Sequence, residues 1–531
     1  MPRESRLLPP SITAVVFVLL SVLVPLVLQR PLLNSDGDLA RHLRHGRYML
    51  EHGRLIRTDP FSFTRPGEPF LGFEYGSQLV YAAAERLGGL PAVAVLAGMV
   101  IGITYGLLTH FLRQRAVDPL LAYLTIGLAA ALGAGHWTAR PHLFSFVAVV
   151  VLLGILEGTV RKPGLACGVL FLVWANLHGG FIYGWILIGL YLVGSIGEML
   201  MRPARAAWQE RSRYYTAMLA VAVSVTLLNP RGWDLHRHVF GFFSQPYIMD
   251  HTAEFVSPNF HEPDGRAFLA ILLLTFGSLT LYRPRPTLPR FLVIYAGAAL
   301  GLISVRNIPL FGLTALPLLV LHLDEFWRRL PDPGGVRRRF EVTAGQTSTL
   351  QWALPVTILL CGLALTRGRV GSVQLIRDQF DASIFPARSV AKARAAGLEG
   401  RIFTDLAWGG YLVYSWPEQR IFIDGGTDFF GGEVFREYNQ VRLLEPGWRE
   451  LLKKWNISLV LARPNSALVN ELAREKGWSL WYCDWGAALL RISPGTAVPS
   501  KEVDSAEHAL EVCRKNRSMS SGDGNDRQSP R

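Results

Sequence analysis

Asp36 and Asp38 stand two residues apart in NSDGDLARHLRHGRYMLEHG, residues 34–53, a stretch that also holds His42, Arg44, His45 and His52 and follows directly on an apolar run. A carboxylate so placed can take a proton as a general base, and two together can ligate a divalent cation. The same residues fit a plainer role, because an aspartate at a helix start caps free amide groups and complements the helix dipole. Leu39, Leu43, Tyr48 and Leu50 fall roughly on one stripe, so the segment is expected to form an amphipathic helix lying at a membrane interface.

Two cationic positions offer the complementary chemistry. In ARPHLFSF, Arg140 and Pro141 lead into an apolar run that begins with His142; in RNIPLF, Arg306 and Asn307 do the same, with Pro309 in the first turn. Proline belongs at that end of a helix, and the free amide groups there, with an arginine beside them, form an anion site suited above all to phosphate. Each arginine taken alone also reads as an interfacial charge, Arg306 snorkelling from a tight turn. Asn176 and His178, in NLHGG, fall at a glycine-rich helix break that either faces a cavity or packs as a satisfied turn. Asn229, Pro230 and Arg231 read as a plain helix C-cap. The pairs His42/His45 and His236/His238 lack an acid at the helical spacing that marks a metal site, so no metal is assigned to them.

The elements that must hold these residues are membrane helices. Of the 531 residues, 50% are hydrophobic and only 18% charged, too apolar for an ordinary soluble domain. Apolar stretches recur at 12–29, 90–112, 119–136, 141–159, 164–177, 180–200, 215–229, 266–282, 289–305, 307–323 and 350–366. Crossing a bilayer takes about 20 helical residues, so about eleven spans are expected. Arg3 and Arg6 precede the first, as in a secretory signal, but no small-x-small cleavage site follows it, and it is expected to stay attached. With the N-terminus cytoplasmic, one set of alternate loops holds Arg113, Arg115, Arg161, Lys162, Arg211, Arg213, Arg283, Arg290, Arg328 and Arg337, whereas the short opposite loops hold only Arg140 and Arg306. That asymmetry is the positive-inside pattern of a bacterial inner (cytoplasmic) membrane protein. It also accounts for the net charge of +13 without a basic groove, so nucleic acid is excluded as a partner. Ten of the thirteen histidines lie in the outer loops, which makes the outer face the expected place of a site.

Everything after residue 366 is then extracytoplasmic. From residue 370 helix-like stretches (PARSVAKARAAG, GEVFREYNQVRLLEPGWRELLKKW, NSALVNELAREKG) alternate with strand-like ones (RIFTDL, RIFIDGG, ISLVLA, WSLWYCDW, AALLRIS), the pattern of a small α/β domain. The expected division is a transmembrane domain over 1–369, whose first outer loop spans 30–89 and carries the interfacial helices, an α/β domain over 370–495, and a polar, disordered tail over 496–531. In DLAWGGYLVYSW and FIDGGTDFFGGEVF, aromatics and the acids Asp424 and Asp428 stand beside Gly-Gly pairs, which reads first as a close-approach βα turn. Cys483 and Cys513 pair only if the tail folds back.

On these motifs the chain resembles the GT-C superfamily of membrane glycosyltransferases, which take sugars from polyprenyl-phosphate carriers. The spacing of Asp38 and Arg44 is similar to that of the first outer loop of the oligosaccharyltransferase catalytic subunit, with His42 where an asparagine is common; AWGGYLVY, from Ala407 to Tyr414, resembles that family's Trp-Trp-Asp-Tyr-Gly region, and IFIDGGTDFF the acidic-glycine stretch after it. RTDPFSFT, ARPHLFSF, NLHGGF, VRNIPLF and WGGYL with FIDGGTD are similar, over nearly the whole chain, to a group of bacterial multispan proteins. Two departures stand out. GHWTARPH has no carboxylate where the oligosaccharyltransferases place further metal ligands, and AWGGYL lacks the motif's aspartate, so peptide-acceptor recognition is not carried over.

The resemblance implies a GT-C-like α-helical polytopic membrane protein with an extracytoplasmic α/β domain. It also implies transfer of a sugar from a polyprenyl-phosphate carrier to a glycan, lipid or protein acceptor. Asp38 is the expected base and Asp36 the second carboxylate, both becoming ligands if a divalent cation such as Mg or Mn is used. Arg306, Arg140, Asn307 and His142 are expected on the donor phosphate, and His42, Arg44, Asn176, His178, Trp408 and Asp424 on substrate. Two arginines can replace a metal at a departing phosphate, which favours a metal-independent reaction. The contrasting reading is a non-catalytic multispan protein, an inactive relative or a glycolipid transporter or scaffold; a transporter is expected to show inverted repeats and charged midplane helices, which this chain lacks.

Overall fold

The computed structural model describes residues 8–492 except 71, 202–204, 284 and 345–346, together with 510, 511 and 513. The chain forms two compact units: Met1–Leu33 with Phe73–Asp378, and Asn34–Gly72 with Gln379–Arg531.

The first unit is helical. Its apolar helices are Ile12–Val27, Tyr75–Gln114, Pro119–Gly133, His142–Leu156, Pro163–Leu177, Phe181–Met201, Arg205–Val225, Pro263–Leu281, Leu288–Ile303, Ile308–Arg329 and Leu350–Leu365, one at each expected stretch. Among the described residues, five segments are long and apolar enough to cross a membrane: Tyr75–Gln114, Pro119–His136, Phe181–Met201, Pro263–Leu281 and Val305–Arg329. Their flanks leave large apolar side chains such as Leu200, Leu274 and Leu281 exposed, which water does not tolerate but hydrocarbon does. The protein is an integral membrane protein.

Small residues set the closest helix packing in this unit. Gly98, Gly102 and Gly106, four apart, present one face to Ile12–Val27, where Pro25, Ser21 and Phe17 fill the space. A Cβ at Gly102 would lie 2.1 Å from Ser21 Oγ. Without a hydrophobic drive between helices in lipid, such close backbone approach supplies the dispersion contact that holds them. The helix Tyr75–Gln114 begins well before the expected span, because two helices run together across a bend at Gly88 and Gly89.

The second unit is an α/β domain. Its four-stranded sheet has the order Arg401–Thr404, Ile457–Ala462, Ala488–Ile492, Trp478–Cys483, the first pair parallel and the others antiparallel. Helices Ala387–Ala395, Leu406–Ser415, Thr427–Arg442, Trp448–Lys454 and Ala467–Arg474 cover it. RIFIDGG does not become a strand: it makes only isolated bridges at Ile421, to Ser62 and Ile402. A core of Phe403, Phe422, Trp408, Val460 and Leu490 fills the interior.

Residues 34–72, expected as a membrane-side loop, fold with this domain. Phe63 and Ile421 are tied by backbone bonds, Phe63 N–H to the Ile421 carbonyl and Ile421 N–H to the Phe61 carbonyl, each 3.0 Å. The Thr64 hydroxyl donates to the Phe422 carbonyl at 2.6 Å. The helix Asp38–His52 packs on Leu406–Ser415, so Leu39, Leu43 and Met49 are buried in protein rather than in a membrane interface. Polar residues Arg41, His42 and His45 are buried as well, which an interfacial helix would leave in water. Most of the expected tail lies outside the described residues, but Leu510 is buried and Cys513 is disulfide-bonded to Cys483, with 6.2 Å between Cα atoms.

Candidate functional site: a buried carboxylate cluster and an arginine pair

In the α/β unit the two acidic motifs meet. Asp38 is the first residue of its helix, whose N-cap is Gly37, and the Asp38 amide donates to Asp36 Oδ1 at 3.0 Å. Asp36 thus takes the capping role, half-buried, while Asp38 is buried and turned inward. The Asp38 carboxylate lies against Gly425, where a Cβ would be 2.0 Å from Oδ1. That close approach is why DGG follows the buried Ile421–Ile423 run: any side chain at 425 would expel Asp38. Gly37 and Gly410 are equally tight, a Cβ at Gly410 lying 2.3 Å from the Gly37 carbonyl oxygen.

Arg41, one helical turn on from Asp38, bridges the cluster. Its Nη2 is 3.5 Å from Asp38 Oδ1 and its Nε 3.9 Å from Asp424 Oδ1. Asp424 accepts from the Gly426 amide at 2.8 Å. Burial raises the Asp424 carboxyl to about 6; Arg41 opposes the rise and the negative charges of Asp38 and Asp59 add to it. His45 stacks on Phe61 with 4.8 Å between ring centroids, and burial followed by Arg41 pushes its pKa well below the usual imidazole range, so it is neutral. Burial also raises Asp59, against hydrogen bonds from Ser62 and Phe61.

Several expected site residues are placed otherwise. Arg44 turns to Glu51, 3.4 Å away, and it is Arg41 that reaches Asp38. Trp408 is a core residue whose indole donates to the Ile384 carbonyl at 2.8 Å. His42 is fully buried beside Asp38 on its helix.

In the helical unit the two expected arginines converge on one carboxylate. Arg140, before the helix His142–Leu156, places Nη1 2.5 Å from Glu254 Oε1; Arg306, in the turn Val305–Asn307 before Ile308–Arg329, places Nη1 3.9 Å from Glu254 Oε2. Burial opposes the Glu254 charge, but Arg140 and Arg306 hold its pKa down at about 2. The guanidinium of Arg306 also stacks 5.3 Å over Phe255.

Asn307 and His142 turn elsewhere, Asn307 Nδ2 donating to the Leu300 carbonyl at 3.1 Å and His142 Nε2 lying 2.8 Å from the His136 carbonyl. Asn307 caps the preceding helix in place of touching the arginines, because a turn this tight leaves Leu300 in its reach. Asn176 donates to the carbonyls of Leu172 and Leu228, a packed-turn role. His178 Nδ1 accepts from the Gly180 amide at 3.1 Å, which leaves Nε2 to carry the hydrogen towards Glu74 Oε1, 3.8 Å away. The Ser145 hydroxyl, 2.7 Å from His178 Nδ1, accepts from the Trp174 indole at 2.7 Å. Sequence reasoning missed Arg41, Glu254 and Glu74. The three-residue spacing from Asp38 pointed to Arg41; the other two pair over distances in sequence that no local pattern carries. Among the described residues, no three or more His, Cys, Asp or Glu side chains gather as a metal-ligand set.

No family model and no curated protein matches the chain. Solved structures do. The Archaeoglobus fulgidus oligosaccharyltransferase AglB, in complex with an inhibitory peptide and a dolichol-phosphate, superposes with a TM-score of 0.52 at 12% identity, over 92% of this chain and 74% of that one. Its apo form gives the same values. ArnT from Cupriavidus metallidurans bound to undecaprenyl phosphate overlaps with a TM-score of 0.49 at 16% identity, over 92% of this chain and 99% of that one. In fold the chain is similar to the archaeal oligosaccharyltransferase.

Proposed function

We propose that the chain is a membrane glycosyltransferase that moves a sugar from a polyprenyl-phosphate carrier to a glycan, lipid or protein acceptor on the outer face of a bacterial cytoplasmic membrane. The observation that carries this reading is the convergence of Arg140 and Arg306, from two helix starts, on a single carboxylate: two of the four residues expected on the donor phosphate share one anion. The GT-C fold supports it. The Cys483–Cys513 disulfide supports an extracytoplasmic α/β unit, since such bonds persist in oxidising compartments.

In the reaction an acceptor hydroxyl attacks the anomeric carbon, its proton passes to Asp38, and the bond from that carbon to the phosphate oxygen breaks with its electron pair leaving on the phosphate. The helical unit supplies Arg140 and Arg306 as the cationic groups suited to a phosphate. The leaving phosphate is already acidic, so no general acid is required. Arg41 orients Asp38, and Asp424, with Gly425 beside Asp38, fixes its place.

The test compares extractable glycolipids and surface polysaccharides of a deletion strain complemented with the wild type, Asp38→Asn or Arg306→Ala. Loss of a general base lowers turnover by roughly 10²–10⁴-fold, so Asp38→Asn at normal protein level is expected to abolish one sugar modification. Glycan profiles unchanged in Asp38→Asn would leave a non-catalytic multispan protein.

A further inference from the structure

The arginine pair already holds an anion supplied by the chain itself. Residues 254–257 lie along the corner between the helices Leu288–Ile303 and Ile308–Arg329. The Val305 amide donates to the Val256 carbonyl at 3.0 Å and the Arg306 amide to the Glu254 carbonyl at 3.2 Å. The Ser304 hydroxyl reaches the same Glu254 carbonyl at 2.7 Å, and Ser257 Oγ the Ile303 carbonyl at 3.3 Å. So one residue, Glu254, engages both the amide and the guanidinium of Arg306, while its carboxylate also takes Arg140. These are the groups that an incoming phosphate would use.

A buried polar atom near these charges is unsatisfied. His136 Nδ1 is buried without a hydrogen-bond partner, and the charges acting on His136 are Glu254, Arg306, Arg140 and Asp264. A carboxylate has two oxygens and is already shared by two arginines, whereas a phosphate monoester brings three terminal oxygens and up to two charges. The segment that carries Glu254 is irregular from Thr252 to Glu262, and Val256 and Phe260 on it are exposed, so little apolar burial holds it down.

Resting on the phosphate reading above, we propose that Glu254 is a resident anion that holds the seat between Arg140 and Arg306 and is displaced by the carrier's phosphate as transfer turns it from a diester into a monoester, releasing residues 252–262 from the Ser304–Arg306 corner. Glu254 thereby keeps two partly buried guanidinium groups compensated between turnovers, and its return helps to expel the polyprenyl phosphate product. The binding equilibrium is a competition, so the affinity for phosphate carries the cost of detaching Glu254.

The experiment uses the full-length protein in phosphatidylcholine nanodiscs, with undecaprenyl phosphate as one probe and inorganic phosphate as the other. Binding is measured for the wild type, Glu254→Gln, Arg140→Gln and Arg306→Gln, and hydrogen exchange is followed over residues 252–262 and 303–307. Glu254→Gln is expected to bind undecaprenyl phosphate about tenfold more tightly, and each arginine variant about tenfold more weakly. In the wild type, exchange in both segments is expected to rise on binding. An effect of inorganic phosphate alone would make the bare anion the ligand; an effect of the lipid only would make it the polyprenyl headgroup. Arginine variants that bind like the wild type, or a wild type that binds neither probe, would overturn the phosphate reading and this proposal with it. Weaker binding by the arginine variants, with Glu254→Gln no tighter or with exchange in 252–262 unchanged or slowed, would overturn the displacement alone.

Discussion

Asp424 shows how one side chain couples chemistry to stability. Its carboxyl is raised from 3.8 to about 6 in the folded protein, chiefly by burial. The sign follows from proton binding: between pH 3.8 and about 6 the folded state holds the proton and the unfolded state does not, so stability falls as pH rises through that window. Above it the penalty is constant, on the order of 3 kcal/mol. Asparagine keeps the acceptor for the Gly426 amide and carries no charge. Asp424→Asn is therefore expected to melt higher than the wild type at pH 7.5 and to lose that advantage by pH 4, read by thermal unfolding of the intact protein at both pH values. Gly425→Ala is the complementary case, since its Cβ would meet the Asp38 carboxylate at 2.0 Å. It is expected to remove the same sugar modification as Asp38→Asn with the protein still present in the membrane, read as glycolipid profile against protein level.

At the scale of elements, the packing of Tyr75–Gln114 on Ile12–Val27 depends on the glycines at 98, 102 and 106. Gly102→Val would force Ser21 aside and is expected to destabilise the helical unit by about 1–3 kcal/mol, visible as a lowered melting temperature in detergent; an unchanged midpoint would show that the two helices separate freely. Much of this level was legible in the sequence. Apolar runs marked eleven helices of the first unit, and β-branched or aromatic runs marked strands of the sheet. What failed was the judgement of partners. RIFIDGG alternates like a strand, yet Ile421 is claimed by residues 61–63 on one side and makes only a single bridge to Ile402 on the other. The amphipathic stripe of Asp38–His52 was visible, but periodicity alone cannot distinguish a lipid headgroup region from the helix Leu406–Ser415 as the surface it covers. Arg44 was chosen over Arg41 on a family spacing, where helical geometry favours the residue three positions on. Glu254 was illegible because its partners stand 114 and 52 residues away, across helices whose packing order the sequence does not state.

For the whole molecule, the Cys483–Cys513 bond closes a loop with a sequence separation of 30 in the α/β unit. A loop of this length stabilises the folded state by about 3–4 kcal/mol through the unfolded chain's lost freedom. Cys513→Ser is expected to lower the melting temperature under non-reducing conditions and to match the wild type once reductant is added. In intact cells, thiol reagents are expected to label neither cysteine before reduction; labelling without it would place this unit on the reducing side of the membrane.

The division of the chain also constrains its synthesis. Asp38–His52 leaves the ribosome early, yet the residues that bury it come from beyond 400, and Thr64 waits for Phe422, a separation of 358. For most of translation Leu39 and Leu43 lack the surface that buries them, and Asp38 and Arg41 lack Asp424 and Gly425. The nascent chain therefore exposes a half-made carboxylate cluster until its last quarter has been synthesised. Truncated products ending before residue 400 should therefore be prime substrates for proteolysis.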